Sequence, residues 1–320
     1  MLGRILWSSV LIGAIFAADP SREVVYSGLA RCGGCVSSTF DKGYVFQMID
    51  AGHAPSTGLS VYTPQGRLAF QVNVKAPDGT PAYLNQQGMA ADTDGTVILS
   101  MWWGGYGGFS PVKGGGVVVL DTTGTQVQFI DTARYIPSAV CFAPDHSIWM
   151  IGTQFGPKDG DVRGADYPMV RHYARDGRQI GAFLSRLSFP PGLTPGGSGI
   201  SWMRAASDRV GIMTYPGMVS DTPTWVELDF QGKEIGRWKT GKSNQGNGGW
   251  AYTSDARLFS WPYDIETKTR SMAVFDKATS SWQPFSGGLN AQLMGADGTD
   301  LVFLGKSPGT GVQLVWMPVK

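Results

Sequence analysis

A pair of tight hairpins recurs along this chain, and that recurrence limits the folds open to it more than any other feature. From Gly88 to Ile130 the sequence reads as four short strands: Gly88 to Asp92, Thr96 to Trp102, Gly116 to Asp121 and Thr125 to Ile130. A Thr-Asp-Gly turn at 93 to 95 joins the first two, a Gly-rich loop the middle pair, and a Thr-Thr-Gly turn at 122 to 124 the last two. Short β-branched and aromatic runs bounded by Asp and Gly are the ordinary hairpin signal.

The same unit precedes this stretch and follows it. Ahead of it, Cys35 to Thr39 and Tyr44 to Ile49 flank Asp41-Lys42-Gly43, and Leu59 to Thr63 and Leu68 to Val74 flank Pro64-Gln65-Gly66. Behind it come units turning at Asp145-His146 and Asp176-Gly177, at Ser207-Asp208 and Gln231-Gly232, and at Ser254-Asp255 and Asp276-Lys277. A last unit turns at Asp297-Gly298 and ends with Val312 to Met317, one strand short. Equivalent first-turn positions fall at 43, 95, 146, 209, 256 and 298, in steps of 52, 51, 63, 47 and 42 residues. Four-stranded units at such a period point to propeller blades. The expectation is therefore an all-β, six-bladed β-propeller in which the orphan strand Val24-Val25-Tyr26 completes the last blade and closes the ring. A β-sandwich with extra hairpins explains the strand content but not the period.

Composition agrees. The chain has 320 residues with 45 Gly and 11 Trp, and 42% of it is hydrophobic, ample for a single all-β domain. A formal net charge of +1 and no run of Lys or Arg give no field for a polyanion, so nucleic acid is not an expected partner. At the start, Arg4, the apolar run Ile5 to Phe16 and Ala17-Ala18 have the order of a secretory signal. Residues 1–18 are read as that signal and 19–320 as the propeller, secreted or periplasmic, with no stable membrane span once the signal is removed.

The segment Pro137 to Met150, PSAVCFAPDHSIWM, resembles the repeat of streptogramin-lyase-type propellers, and Gly88 to Ser100 resembles the NHL repeat. The turn in Val170 to Ile180 is similar to those of six-bladed propellers common among exported bacterial proteins. These resemblances imply architecture and carry no activity with them.

In such a fold the loops between blades and those joining second to third strands gather on one face. Here they are the long ones, so binding is expected there. Its candidate ligand contacts are aromatic and amide: Tyr83, Gln86, Gln87, Trp102, Trp103, Tyr106, Tyr135, Trp202, Asn244, Gln245, Asn247, Trp250 and Trp261. Flat rings and amides suit a glycan or a peptide, although large aromatics more often wedge between blades. An alternative is a lyase or hydrolase acting in the central channel. Its histidines and carboxylates are hard to place: His53, His146 and His172 form no three-histidine set, and Asp159-Gly160-Asp161 lacks the spacing of a full calcium loop. No catalytic residue, metal or cofactor is assigned. Cys32 and Cys35 are read as a local disulfide in an oxidising compartment, over redox work or an inert reduced pair, and Cys141 as a buried thiol.

Overall fold

A computed structural model of the chain describes residues 19–29, 38–49, 57–104, 112–155, 166–189, 202–214, 223–240, 249–264, 268–305 and 311–319. Six antiparallel four-stranded sheets account for nearly all of the strands. Blade 1 comprises Ser38–Asp41, Tyr44–Ile49, Gly58–Tyr62 and Leu68–Asn73; blade 2, Tyr83–Ala91, Val97–Gly104, Val112–Leu120 and Gln126–Asp131. Blade 3 comprises Tyr135–Phe142, Ile148–Gln154, Pro168–Tyr173 and Gln179–Ser185; blade 4, Trp202–Ala205, Arg209–Thr214, Thr224–Asp229 and Glu234–Lys239. Blade 5 is Trp250–Tyr252, Leu258–Ser260, Ala273–Asp276 and Ser281–Pro284, with a small added hairpin, Tyr263–Asp264 against Thr269–Arg270. Blade 6 is Leu293–Asp297, Asp300–Leu304 and Val312–Pro318, and its fourth strand is Arg22–Tyr26.

The two ends of the chain meet as expected. Arg22–Tyr26 lies antiparallel to the C-terminal strand, with Val24 opposite Leu314 and Tyr26 opposite Val312. The Tyr26 hydroxyl donates to the Gly43 carbonyl in the first turn of blade 1 at 2.7 Å. Ring closure therefore hides a sheet edge that would otherwise be open to pairing.

Burial explains the ring. Each gap between consecutive blades holds one apolar cluster: Phe46, Leu59 and Met89 between blades 1 and 2, and Trp149, Met203 and Val226 between blades 3 and 4. Phe142 and Ile98 fill the gap between blades 2 and 3; Trp225 and Leu258 between 4 and 5; Phe259 and Phe303 between 5 and 6; Trp316 and Phe40 between 6 and 1. Middle strands are covered on both faces and so read as continuous apolar runs, as in Gly58–Tyr62, whereas outer strands are partly exposed.

Turn chemistry sets the strand spacing. In blade 2 the Asp121 carboxylate accepts the backbone N–H groups of Thr123 and Thr125 at 2.8 and 3.0 Å, and Gly124 takes a φ of +84°. A residue in the left-handed region at that place forms a bulge, and the register shifts there between Val119 and Leu120. The same shift recurs at Val61/Tyr62, His172/Tyr173 and Glu227/Leu228, next to the corresponding turns of blades 1, 3 and 4.

Candidate functional site: the channel and its two mouths

The first strand of each blade is innermost, and these six strands pack against one another around the axis. Turns joining first to second strands lie at one mouth of the channel. The strand ends that lead from blade to blade, and from second to third strands, lie at the other.

At the loop-bearing mouth, strands extend further than the sequence suggests. Tyr83, Gln86 and Gln87 belong to the inner strand of blade 2, Trp102 and Trp103 to its second strand, and Tyr135 opens the inner strand of blade 3. The cause is pairing that continues past the first apolar run: Tyr83 faces Trp102, and Trp103 faces Gly114. Tyr83 and Trp102 are half-buried, their ring centroids 4.8 Å apart and their planes tilted by 47°.

Between Leu84 and Met89 the inner strand of blade 2 leaves its ladder and bulges. Within the bulge, the Asn85 side chain donates to the Pro137 carbonyl of blade 3 at 2.6 Å, and the Gln86 carbonyl accepts the Thr39 hydroxyl of blade 1 at 2.5 Å. Gly88 packs so tightly on Ser100 that a Cβ would lie 1.6 Å from its hydroxyl oxygen. The bulge is thus pinned to both neighbours, with Gln86 exposed and Gln87 partly so.

Other expected contacts are packed against neighbouring side chains in this structure. Trp103 is buried against Phe129, with centroids 6.1 Å apart. Tyr135 is fully buried; its hydroxyl donates to the Met169 carbonyl at 2.8 Å, Arg171 stacks 4.0 Å from its ring, and burial holds its phenol well above the ordinary pKa. Trp261 lies 4.7 Å below the Arg270 guanidinium. Trp202 and Trp250, on the inner strands of blades 4 and 5, do line the channel; Trp202 is buried against Trp225 and Trp250 packs on Trp282. Tyr106, Asn244, Gln245, Asn247, Cys32, Cys35, Asp159, Asp161, His53 and the N-terminal signal lie outside the described residues.

A cavity of about 610 Å³ occupies the tight-turn end of the channel, bounded by inner strands and first turns from all six blades. Of the contacts expected from the sequence, Trp202 and Trp250 line it; its charged groups were not anticipated. Arg204 from blade 4 reaches across to blade 1, which faces it on the other side of the ring. Its guanidinium donates to the Phe40 carbonyl at 3.0 Å and to its own neighbour Met203 at 2.8 Å, with Nε 3.6 Å from the Asp41 carboxylate. The other Asp41 oxygen accepts the Ala91 N–H of blade 2 at 2.9 Å. Asp92 accepts from the His146 ring at 2.7 Å and from Arg175 at 3.0 Å, and Asp297 accepts the Trp316 indole N–H at 3.0 Å. Each of these carboxylates on the cavity wall already has a protein donor.

Two further polar centres sit on the third strands of blades 4 and 3. Glu227, wholly buried between blades 4 and 5, accepts from the Trp225 indole at 3.0 Å and the Tyr252 hydroxyl at 2.9 Å, and pairs with Arg209 and Lys277. Burial, then the neighbouring Glu227 charge, raises the Tyr252 phenol. His172 stacks on Trp149 with centroids 4.0 Å apart, and its Nε2 lies 2.8 Å from the Ser147 hydroxyl. Cys141 is free and buried, and burial pushes its thiol up to about 12. No group of three or more His, Cys, Asp or Glu among the described residues is arranged to hold a metal ion, and none of their helices is long and apolar enough to cross a membrane.

Six radial sheets around a walled axial channel define a six-bladed β-propeller. Among solved structures the chain is similar to a Dyadobacter fermentans protein of unknown function, with a TM-score of 0.50 at 9% identity, covering 95% of this chain and 100% of that one. It is also similar to a gluconolactonase of Xanthomonas campestris, with a TM-score of 0.43, 14% identity, and 81% and 78% of the two chains covered. A third is an oligogalacturonate lyase in complex with manganese, with a TM-score of 0.47, 11% identity, and 91% and 79% covered. No family model and no curated protein matches the chain. The likeness to the Dyadobacter protein is one of fold, and no residue role passes from any of these structures to this chain.

Proposed function

We propose that the chain is an exported binding propeller that takes a ligand or protein partner, of glycan or peptide chemistry, at its loop-bearing mouth. The observation that carries this reading is the pinned bulge at 85–88. A strand that abandons four ladder positions, and is then tied to both neighbouring blades, fixes the backbone at exposed Gln86, three residues along from Tyr83, whose half-buried ring meets that of Trp102. Rings that present a face, next to amides that donate and accept, recognise sugars and peptide groups by stacking plus oriented hydrogen bonds. A lyase or hydrolase in the channel has less support, because the cavity carboxylates of Asp41, Asp92 and Asp297 are all engaged by protein donors.

Export rests on Arg4, the apolar run from Ile5 and the alanines at 17 and 18. Loss of residues 1–18 would leave ring closure whole, since its first hydrogen bond runs from the Ser21 N–H to the Trp316 carbonyl. Binding is tested by thermal shift and calorimetry against glycan and peptide panels, with Trp102→Ala and Gln86→Ala. Each variant is expected to weaken the best ligand about tenfold or more, in line with removing one stacking or hydrogen-bonding group. Unchanged affinity in both would remove the loop-bearing mouth as the site. Export is tested by N-terminal sequencing of the protein recovered outside the cytoplasm.

A further inference from the structure

We propose a second binding site, in the tight-turn end of the channel, for a small hydroxylated carboxylic acid whose acid group is held by Lys42 and Arg204. It lies at the opposite mouth from the proposed glycan or peptide surface and does not depend on it.

The space is sufficient. About 610 Å³ is the size of a small-molecule site, and it lies on the axis, where the wall is formed by all six blades. The charged groups of its wall are not all paired. Asp92 pairs with Arg175 and accepts from the His146 ring, Asp41 faces Arg204, and Asp297 accepts the Trp316 indole N–H. Lys42 also lines the cavity, and among the described residues no carboxylate lies within ion-pair distance of its ammonium group. It sits 6.0 Å from the Phe142 ring. Its backbone has a φ of +47°, a conformation usually left to Gly or Asn, so a lysine there is tolerated against local preference.

Arg204 adds directed donors. A guanidinium carries five N–H groups. Two of those on Arg204 donate to the Met203 and Phe40 carbonyls, and Nε looks toward Asp41. Two remain, on a residue only 9% exposed that lines the cavity. A buried donor pair and an unpaired ammonium on the wall of one cavity suit a carboxylate. The remaining wall offers hydroxyls and an amide from Thr93, Ser207, Ser254 and Gln65 over aromatic surface from Phe40 and Trp250. That combination suits a body with hydroxyl groups on its rim and C–H faces between them.

The test is calorimetry and thermal shift on the full folded chain with four probes: glucuronate, lactate, uncharged glucose and sulfate. Glucuronate is expected to bind and raise the melting temperature, lactate more weakly, and glucose not at all at the same concentration. Lys42→Asn, which suits the left-handed turn, is expected to weaken glucuronate about tenfold or more, and Lys42→Arg to restore most of that loss. Trp102→Ala, at the other mouth, is expected to leave glucuronate binding unchanged. The proposal is overturned by glucose binding as tightly as glucuronate, by sulfate matching it, by Lys42→Asn with unchanged affinity, or by loss of glucuronate binding in Trp102→Ala alone.

Discussion

Glu227 shows how one side chain can hold two blades together. Its strand, Thr224–Asp229, is apolar on either side of it, and its carboxylate is wholly buried with donors from Trp225 and Arg209 of blade 4 and from Tyr252 and Lys277 of blade 5. Glu227→Ala leaves two cations and two buried donors facing a void. Removing one partner of a buried pair destabilises by about 3–5 kcal/mol; the lower end applies here because Arg209 and Lys277 are about a quarter exposed. Urea denaturation should show that loss, and Glu227→Gln, which keeps the shape and one acceptor, should lose less. A different residue makes stability depend on pH. Burial, opposed by the nearby Asp145 charge, holds the His172 pKa below 6.5. The unfolded chain therefore takes up a proton that the folded imidazole still refuses. The contribution is complete above about 6.5, shrinks as pH falls below it, and levels off under the folded value. Urea midpoints between pH 7.5 and 5 should fall more steeply for the native protein than for His172→Gln; equal slopes would mean that His172 does not carry the dependence.

The hairpin is the element most legible in the sequence, because the groups that build it are local. Asp121 reaches the N–H groups of residues two and four further on, and Gly124 supplies the left-handed step, so the letters alone place the turn. Strand ends were less legible. Trp102 and Tyr83 pair beyond the first apolar run because two strands meet there, which neither segment announces by itself. The bulge at 85–88 was hidden for the same reason: its hydrogen bonds go to Thr39 and Pro137 in other blades. Arg204 and Phe40 stand 164 residues apart and meet only because the ring brings blade 4 opposite blade 1, so the cavity end of the channel had no local signal at all. Gly66 tests the turn reading and the closure together. It has a φ of +78°, and a Cβ there would lie 2.2 Å from the Val25 carbonyl oxygen of the closing strand. Gly66→Ala should lose at least about 1–2 kcal/mol from the backbone alone, with faster hydrogen exchange at Val24 to Tyr26 than elsewhere. Gly79, which has a similar φ but nothing within 4 Å of its Cβ position, is the control: Gly79→Ala should carry only the backbone part.

At the scale of the whole molecule, the ring is held shut by a strand that is contiguous with blade 6 in space but not in sequence. In blades 1 to 5 the outer strand follows the third through a tight turn; in blade 6 it comes from the opposite end of the chain. Deleting residues 19–26 would expose the Val312–Pro318 edge and uncover Trp316 and Tyr62, both buried in the cluster between blades 6 and 1. An unpaired apolar edge is a template for association, so the truncated protein should form aggregates on size-exclusion chromatography and lose cooperative unfolding. A circular permutant separates the strand's packing from the place where the chain happens to be cut. Arg22 pairs with Trp316, and the Ser21 N–H donates to the Trp316 carbonyl at 2.9 Å, so a short Gly-containing linker from Val319 to Asp19 can turn the closure into an ordinary hairpin. New termini placed in the connection between blades 4 and 5, after Thr240 and before Gly249, would leave every sheet intact. The permutant should match the native protein in melting temperature within a few degrees, because the interblade clusters are the same and only the loop carrying the break has moved. A permutant that folds poorly while the native chain folds well would mean that closure by the two chain ends does more than complete a sheet, and that assembly of the ring depends on the order in which its blades are joined.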